Sequence, residues 1–190
     1  MISFSTRSLS ELSNIQEEAS PWEILRQLHL PASYLEFQLL GVPEGQKRRI
    51  QVGRGKAIDP HAAHKQRLKW DIGLQIKEKI ADEGLDCKNA DGYVLSGPVY
   101  VELLFFFQPP PSYSKKKTAE AFRNKYYSHK PDVDNATKLV FDVMSGVVFK
   151  DDAQIVGGMQ MKLYGSEDMT LIRVYPLDAE EVSKLKSPHF

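Results

Sequence analysis

Nine residues, Val99-Tyr-Val-Glu-Leu-Leu-Phe-Phe-Phe107, constrain the fold of this 190-residue chain more than any other stretch. A short, strongly apolar run rich in β-branched and aromatic side chains predicts a strand in the middle of a sheet. Gln108-Pro-Pro-Pro111 stops it, because proline has no donor for a strand ladder. The other elements arrange around it. Leu35, Phe37 and Leu39 alternate with Glu36 and Gln38, which predicts a first strand from near Tyr34. Asp59-Pro60 suits a helix start, with Asp as cap and proline in the first turn. Leu68, Ile72, Ile76 and Ile80 then recur every four residues, predicting a buried stripe to about Ala81. A second helix is expected from Val133 or Asp134. Ala136, Leu139, Val140 and Val143 form its apolar face, and Gly146 fits its C-terminal cap. Alternation from Ile155 to Leu163, a turn at Tyr164-Gly-Ser-Glu-Asp168 and a run from Thr170 to Tyr175 predict the last two strands. The order β-α-β-α-β-β implies an α+β domain, a small mixed sheet with two main helices on one face. Residues 1–32 are expected to form a polar, acidic extension, 33–176 the compact domain and 177–190 a tail.

Composition narrows the function. Lys+Arg and Asp+Glu balance at 25 each, so no overall basicity announces a polyanionic partner. The distribution is uneven. Lys47, Arg48, Arg49, Arg54 and Lys56 crowd one Gly/Pro-punctuated loop, and Lys115, Lys116, Lys117 and Lys130 fall in a second, long loop after the proline run. Local patches of this kind grip phosphates even on a neutral chain, although a solvated surface is an equally good account of each patch alone. Tyr113, Tyr126 and Tyr127 stand among the lysines, placed either to stack on bases or to pack the loop. Cys87 is the single cysteine, which excludes an internal disulfide and a cysteine-based zinc cluster. No apolar run approaches the roughly 20 residues of a membrane span, and Glu17, Glu18 and Glu23 are foreign to a secretory signal. The expected location is cytoplasmic, with no membrane partner.

The chemistry concentrates between His129 and Gln154. Asp132, Asp134, Asp142, Asp151 and Asp152 surround Lys138. Carboxylates gathered this closely repel one another unless a cation sits among them. Oxygen donors suit a hard divalent ion such as Mg²⁺ or Mn²⁺, whose usual substrate is a phosphate ester. Asp134, Lys138 and Asp142 fall at i, i+4 and i+8 of the second helix, and Asp132 lies at its N-terminus. The turn at Asp151-Asp152 folds back beside that N-terminus if the third strand pairs next to the second. Asp132, Asp134 and either Asp152 or Asp151 would then converge on one cation, with Lys138 steadying charge on the phosphate and Asp142 in support. Each part also has a plain structural reading: an N-cap, an i,i+4 surface pair and an ordinary Asp turn. His61, His64 and His129 show no metal-ligand spacing and are expected on the surface or facing phosphates.

Lys130-Pro-Asp-Val-Asp-Asn-Ala-Thr-Lys138, Phe141-Asp142 and Gly146-Val-Val-Phe-Lys-Asp-Asp-Ala-Gln-Ile-Val156 resemble, in order, the RusA-type Holliday junction resolvases. The similarity in element order begins near residue 34 and leaves residues 1–32 outside. The resemblance implies a Mg²⁺-dependent endonuclease, homodimeric, that nicks two opposed strands of a four-way DNA junction. It places the metal-binding carboxylates on Asp132, Asp134 and Asp152, with Asp151 as the weaker candidate, and the essential lysine on Lys138. Ala136 departs from the larger aliphatic common there. Two other readings compete: a protein that binds branched DNA without cutting it, and a phosphatase of the haloacid-dehalogenase type. The latter needs its first Asp at the end of an apolar strand, whereas a polar, proline-terminated segment precedes Asp132.

Overall fold

Val99–Phe107 forms strand β4, and its buried residues alternate strictly: Val99, Val101, Leu103, Phe105 and Phe107 face the core. The computed structural model of the protein describes residues 34–47, 50–51, 53, 55, 57–83 and 94–178. The expected N-terminal extension, nearly all of the tail, Cys87, and Arg48, Arg49, Arg54 and Lys56 lie outside those residues.

Strand β1 (Leu35–Leu40) and two long strands, β5 (Ile155–Tyr164) and β6 (Met169–Pro176), join β4 in a four-stranded mixed sheet ordered β1-β6-β4-β5. β6 is antiparallel to both β1 and β4, while β5 lies parallel to β4. A parallel neighbour requires a crossover, and helices α2 (Lys115–Asn124) and α3 (Val133–Met144) lie in that connection. Helix α1 (Ala62–Glu83) packs on β1 and α3. One face of the sheet is thereby covered. Leu68, Ile72 and Ile76 of α1 and Ala136, Val140, Val143 and Met144 of α3 meet the inward row of β4. Burying a ring such as Phe105 contributes about 1.5–3 kcal/mol, and Phe105→Ala would cost about 3–5 kcal/mol with the cavity it leaves.

The α+β class and the mixed sheet agree with the sequence reading, with three differences. The second basic loop is not loop throughout: Lys115–Asn124 is helical. Ser114 caps it by accepting from the Lys117 amide at 3.3 Å, and Ala, Glu, Lys and Arg are good helix formers. Three lysines in its first turn oppose the helix dipole, which disguises the helix in the sequence. The first basic loop contains a two-residue antiparallel pairing of β2 (Ile50–Gln51) with β3 (Ala57–Ile58). Finally, the α1 stripe ends at Ile76, since Ile80 is 39 % exposed.

The expected cap and first-turn proline, Asp59 and Pro60, lie just ahead of α1, which begins at Ala62. Asp59 Oδ1 accepts from the His61 amide at 2.8 Å. Past the end of α3, Gly146 takes a φ of +75°, the left-handed conformation that glycine adopts without a Cβ penalty. Among the described residues, no helix is long and apolar enough to cross a membrane.

Candidate metal centre

Asp134 and Lys138 sit on the exposed face of α3, one turn apart as the spacing predicts. Lys138 Nζ donates to Asp134 Oδ2 at 3.2 Å, with side chains 61 % and 63 % exposed. That hydrogen bond holds the Asp134 carboxyl below its ordinary value. Asp132 occupies the N-cap position, yet its side chain makes no capping bond. Both its oxygens instead accept from Lys130 Nζ, at 2.9 and 2.7 Å. An N-cap role therefore does not explain this carboxylate.

Asp142 takes a different course. Its Oδ2 accepts from Lys65 Nζ of α1 at 2.8 Å and from Gln46 Nε2 at 2.9 Å. Lys65 also reaches Asp59 at 2.8 Å, and its side chain is only 13 % exposed. Burial works against the Lys65 charge, but the hydrogen bonds to Asp142 and Asp59 outweigh it and raise the ammonium above its ordinary value. Asp142 thus ties α3 to α1 and to the 41–47 segment, and its hydrogen-bond partners do not include Lys138.

Asp151 and Asp152 divide their work. Asp151 caps a 3-10 turn (Asp152–Gln154), accepting from the Ala153 amide at 2.9 Å. Gln154 anchors this turn: its Oε1 accepts from the Lys150 amide at 2.8 Å, and its Nε2 donates to the carbonyls of Leu95 and Gly97 at 3.2 and 2.7 Å. Asp152 is exposed and carries no ion pair among the described residues.

The strand condition for convergence is met, since β5 pairs beside β4, but its direction separates the carboxylates. Parallel pairing makes α3 return antiparallel to both strands. The α3 N-terminus consequently lies at the far end of β5, where Lys162 Nζ donates to the carbonyls of His129 and, at 2.8 Å, Pro131. Asp152 lies at the near end, against the start of β4. Seven strand residues span roughly 20 Å. The expected meeting of Asp132, Asp134 and Asp152 on one cation within a single chain is therefore corrected. Among the described residues no three His, Cys, Asp or Glu side chains gather around one point. The donor chemistry still fits a hard cation: exposed carboxylate oxygens, with Asp132 and Asp134 each holding an ammonium group already.

Next to Asp132 is an open cavity of about 420 Å³ whose walls include Gln46, Lys47, Lys130 and Asn135. Gly45 lets the 41–47 segment cross α3 closely. A Cβ there would meet Pro131 Cβ at 3.0 Å and Asn135 Cβ at 3.3 Å, and the Gln46 amide donates to the Asn135 carbonyl at 2.9 Å. Two of the predicted phosphate-gripping cations, Lys47 and Lys130, thus flank the carboxylate end of α3. Lys115, Lys116 and Lys117 are exposed on the first turn of α2, and Lys117 Nζ sits 3.9 Å over the Tyr113 ring. Tyr127 packs the loop, stacked on Phe107 with centroids 4.0 Å apart, whereas Tyr126 is 68 % exposed. His61, expected at the surface, is buried with Nε2 3.4 Å from Glu44. Neither Lys65, Gln46 nor Lys162 was singled out by sequence patterns, because the contacts of Lys65 and Gln46 with Asp142, and of Lys162 with the loop carbonyls, join residues remote in the chain.

Residues 41–175 match the family model of endodeoxyribonuclease RusA. The chain belongs to the RusA endodeoxyribonuclease family. It is also similar to an uncharacterized protein of Bacillus subtilis (strain 168), YqaN, being 32 % identical over 149 residues that cover 76 % of this chain and 98 % of that protein. The RusA match takes in the Pro-Asp-Val-Asp-Asn segment, Lys138, the Asp151-Asp152 turn and strands β4 to β6. Membership makes this chain a nuclease acting on DNA. It also disposes of the phosphatase reading, for which the structure has no counterpart: Asp132 stands at the N-terminus of a helix and does not end a strand.

Proposed function

We propose that the protein is a Mg²⁺-dependent endonuclease that resolves four-way DNA junctions by paired, symmetric nicks, with Asp132, Asp134 and Asp152 as metal ligands. The observation that carries this reading is the exposed pair of carboxylates at the start of α3, each neutralised by a lysine, within the segment that matches RusA. A bound Mg²⁺, or Mn²⁺, would supply a nucleophilic water of lowered pKa and offset charge on the scissile phosphate. The chain's own groups do the rest. Lys138 Nζ leaves Asp134 to stabilise developing negative charge on the phosphate or the leaving oxygen. Lys130, released from Asp132, joins Lys47 and Lys115–Lys117 in holding flanking phosphates. Asp151 remains a cap, which favours Asp152 as the ligand from that turn.

The reading includes a homodimer. Two opposed nicks on a two-fold junction call for two sites related by a two-fold axis. The placement of Asp152 at the opposite end of β5 supports the same assembly, because a second copy is a source of the carboxylate that one chain does not bring to Asp132 and Asp134. Of Phe105, Phe106 and Phe107, only Phe106 remains available for such a contact, since the other two are buried in the core.

The test is nicking of a synthetic four-way junction, a flap and a linear duplex in Mg²⁺, comparing wild type with Asp134→Asn. Symmetric nicks confined to the junction, abolished in the variant, are expected. An unchanged rate in Asp134→Asn would overturn the site, and metal-independent binding without nicking would replace resolvase by junction-binding protein.

A further inference from the structure

The loop that delivers Asp132 to the α3 N-terminus is held by its backbone. Lys162, on β5, points its ammonium at the carbonyls of His129 and Pro131. The carbonyl between them, that of Lys130, accepts from the Tyr127 hydroxyl at 3.1 Å. Three consecutive carbonyls before Asp132 are thus fixed by two side chains. The Tyr127 ring is itself clamped, stacked on Phe107 and edge-on to Tyr164 at 5.2 Å, while Lys162 Nζ lies 5.5 Å from its centroid. The Tyr127 amide and the Lys162 carbonyl, at 2.9 Å, add a backbone tie between the loop and the strand. Among the described residues no carboxylate pairs with Lys162, and its ammonium is directed at the loop carbonyls. An ammonium directed at two backbone carbonyls forms charge-assisted bonds stronger than neutral ones.

We propose that Lys162 is a positioning residue, which sets the direction of the Asp132 carboxylate by gripping the loop on its N-terminal side. The inference rests on Asp132 being a metal ligand, as argued above. Groups that orient a ligand without touching the metal typically change its affinity by about ten- to a hundredfold when removed. The role assigned to Lys162 is positional, since its ammonium is directed at loop carbonyls.

The experiment uses the full chain, with Mn²⁺ as the probe. Mn²⁺ binding is followed by the loss of the free-ion electron paramagnetic resonance signal, without DNA, for wild type, Lys162→Met, Lys162→Arg and Tyr127→Phe. Lys162→Met keeps the aliphatic stem and is expected to weaken Mn²⁺ binding about tenfold, while junction binding in EDTA stays within about twofold. Lys162→Arg, which can still donate to both carbonyls, recovers most of the loss. Tyr127→Phe, which removes only one bond, shifts affinity the same way by a smaller factor and serves if Lys162→Met fails to fold. Unchanged Mn²⁺ affinity in folded Lys162→Met, or in folded Tyr127→Phe should Lys162→Met not fold, would overturn the proposal while leaving the metal reading intact. Wild type that takes up no Mn²⁺, or Asp134→Asn that binds it as wild type does, would instead remove the metal reading and this proposal with it.

Discussion

Asp134 and Asp142 lie two turns apart on one helix and do opposite things. Asp134 and its lysine are exposed, and little else depends on them. Asp142 is half-buried and its lysine largely buried between α1, α3 and the 41–47 segment, where Lys65 holds Asp59 as well. An exposed ion pair contributes little to stability, so its charges are free to serve another purpose. A partly buried pair is costly to break on one side, because the remaining charge is left without compensation. Identical residue types at helical spacing are therefore divided by burial into a chemical pair and a structural one.

That division is broken most directly at Asp134. Asp134→Asn should lower the junction-nicking rate by at least about a thousandfold while its thermal midpoint moves by no more than about 2 °C, measured by gel assay and calorimetry. A variant that lost activity only in step with its midpoint would make Asp134 structural, like Asp142. Lys138→Met comes next. Loss of one charge-stabilising donor predicts a decrease of about a hundred- to a thousandfold in single-turnover rate, with binding of the junction in EDTA nearly unchanged. Full activity in that variant would reduce Lys138 to the surface partner it resembles in the structure.

Asp142→Ala sharpens the other half. It strips Lys65 of one of two carboxylates and frees Gln46, for an expected loss of about 1–2 kcal/mol in denaturant unfolding, below the figure for a fully buried pair because the Asp142 side chain is 40 % exposed. Residual activity per folded molecule should stay within about tenfold of wild type, well above that of Asp134→Asn. A loss of nicking as deep as that of Asp134→Asn, without destabilisation, would return Asp142 to the supporting role at the site expected from the sequence.

The sequence carried the four strands of the main sheet, both long helices and the exposed Asp134–Lys138 pair, because each depends on local periodicity. It misled where direction or rotation decides. Eight residues along a helix overshoot two full turns by about 80°, enough to turn Asp142 from the face of Asp134 toward α1. Alternation in Ile155–Leu163 marks a strand but is the same whether that strand runs parallel or antiparallel to β4. Parallel pairing sends Asp152 to the opposite end of α3. The pairing of Lys65 with Asp142 and of Lys162 with the His129 and Pro131 carbonyls is set by tertiary packing and leaves no spacing to read. In the second basic loop, a helix was hidden by lysines at the end where the dipole disfavours them.

The smallest expected effect belongs to the structural side and tests whether its titratable neighbours matter beyond the ion pairs. Burial pushes the His61 imidazole below its ordinary value, and the nearby Lys47 and His64 act in the same direction, against Glu44 and Asp59. Its folded state is therefore less basic than the unfolded chain. Above about pH 6.5 neither state binds the proton and the full stability is present. As the pH falls through that value toward the lower folded pKa, the unfolded chain takes up the proton first and stability declines. The thermal midpoint of wild type should thus fall more steeply between pH 7 and pH 5 than that of His61→Gln, by about 1–3 °C over the interval. Parallel profiles would mean that His61 gains a compensating interaction on protonation, for which Glu44, 3.4 Å from Nε2, is the available partner.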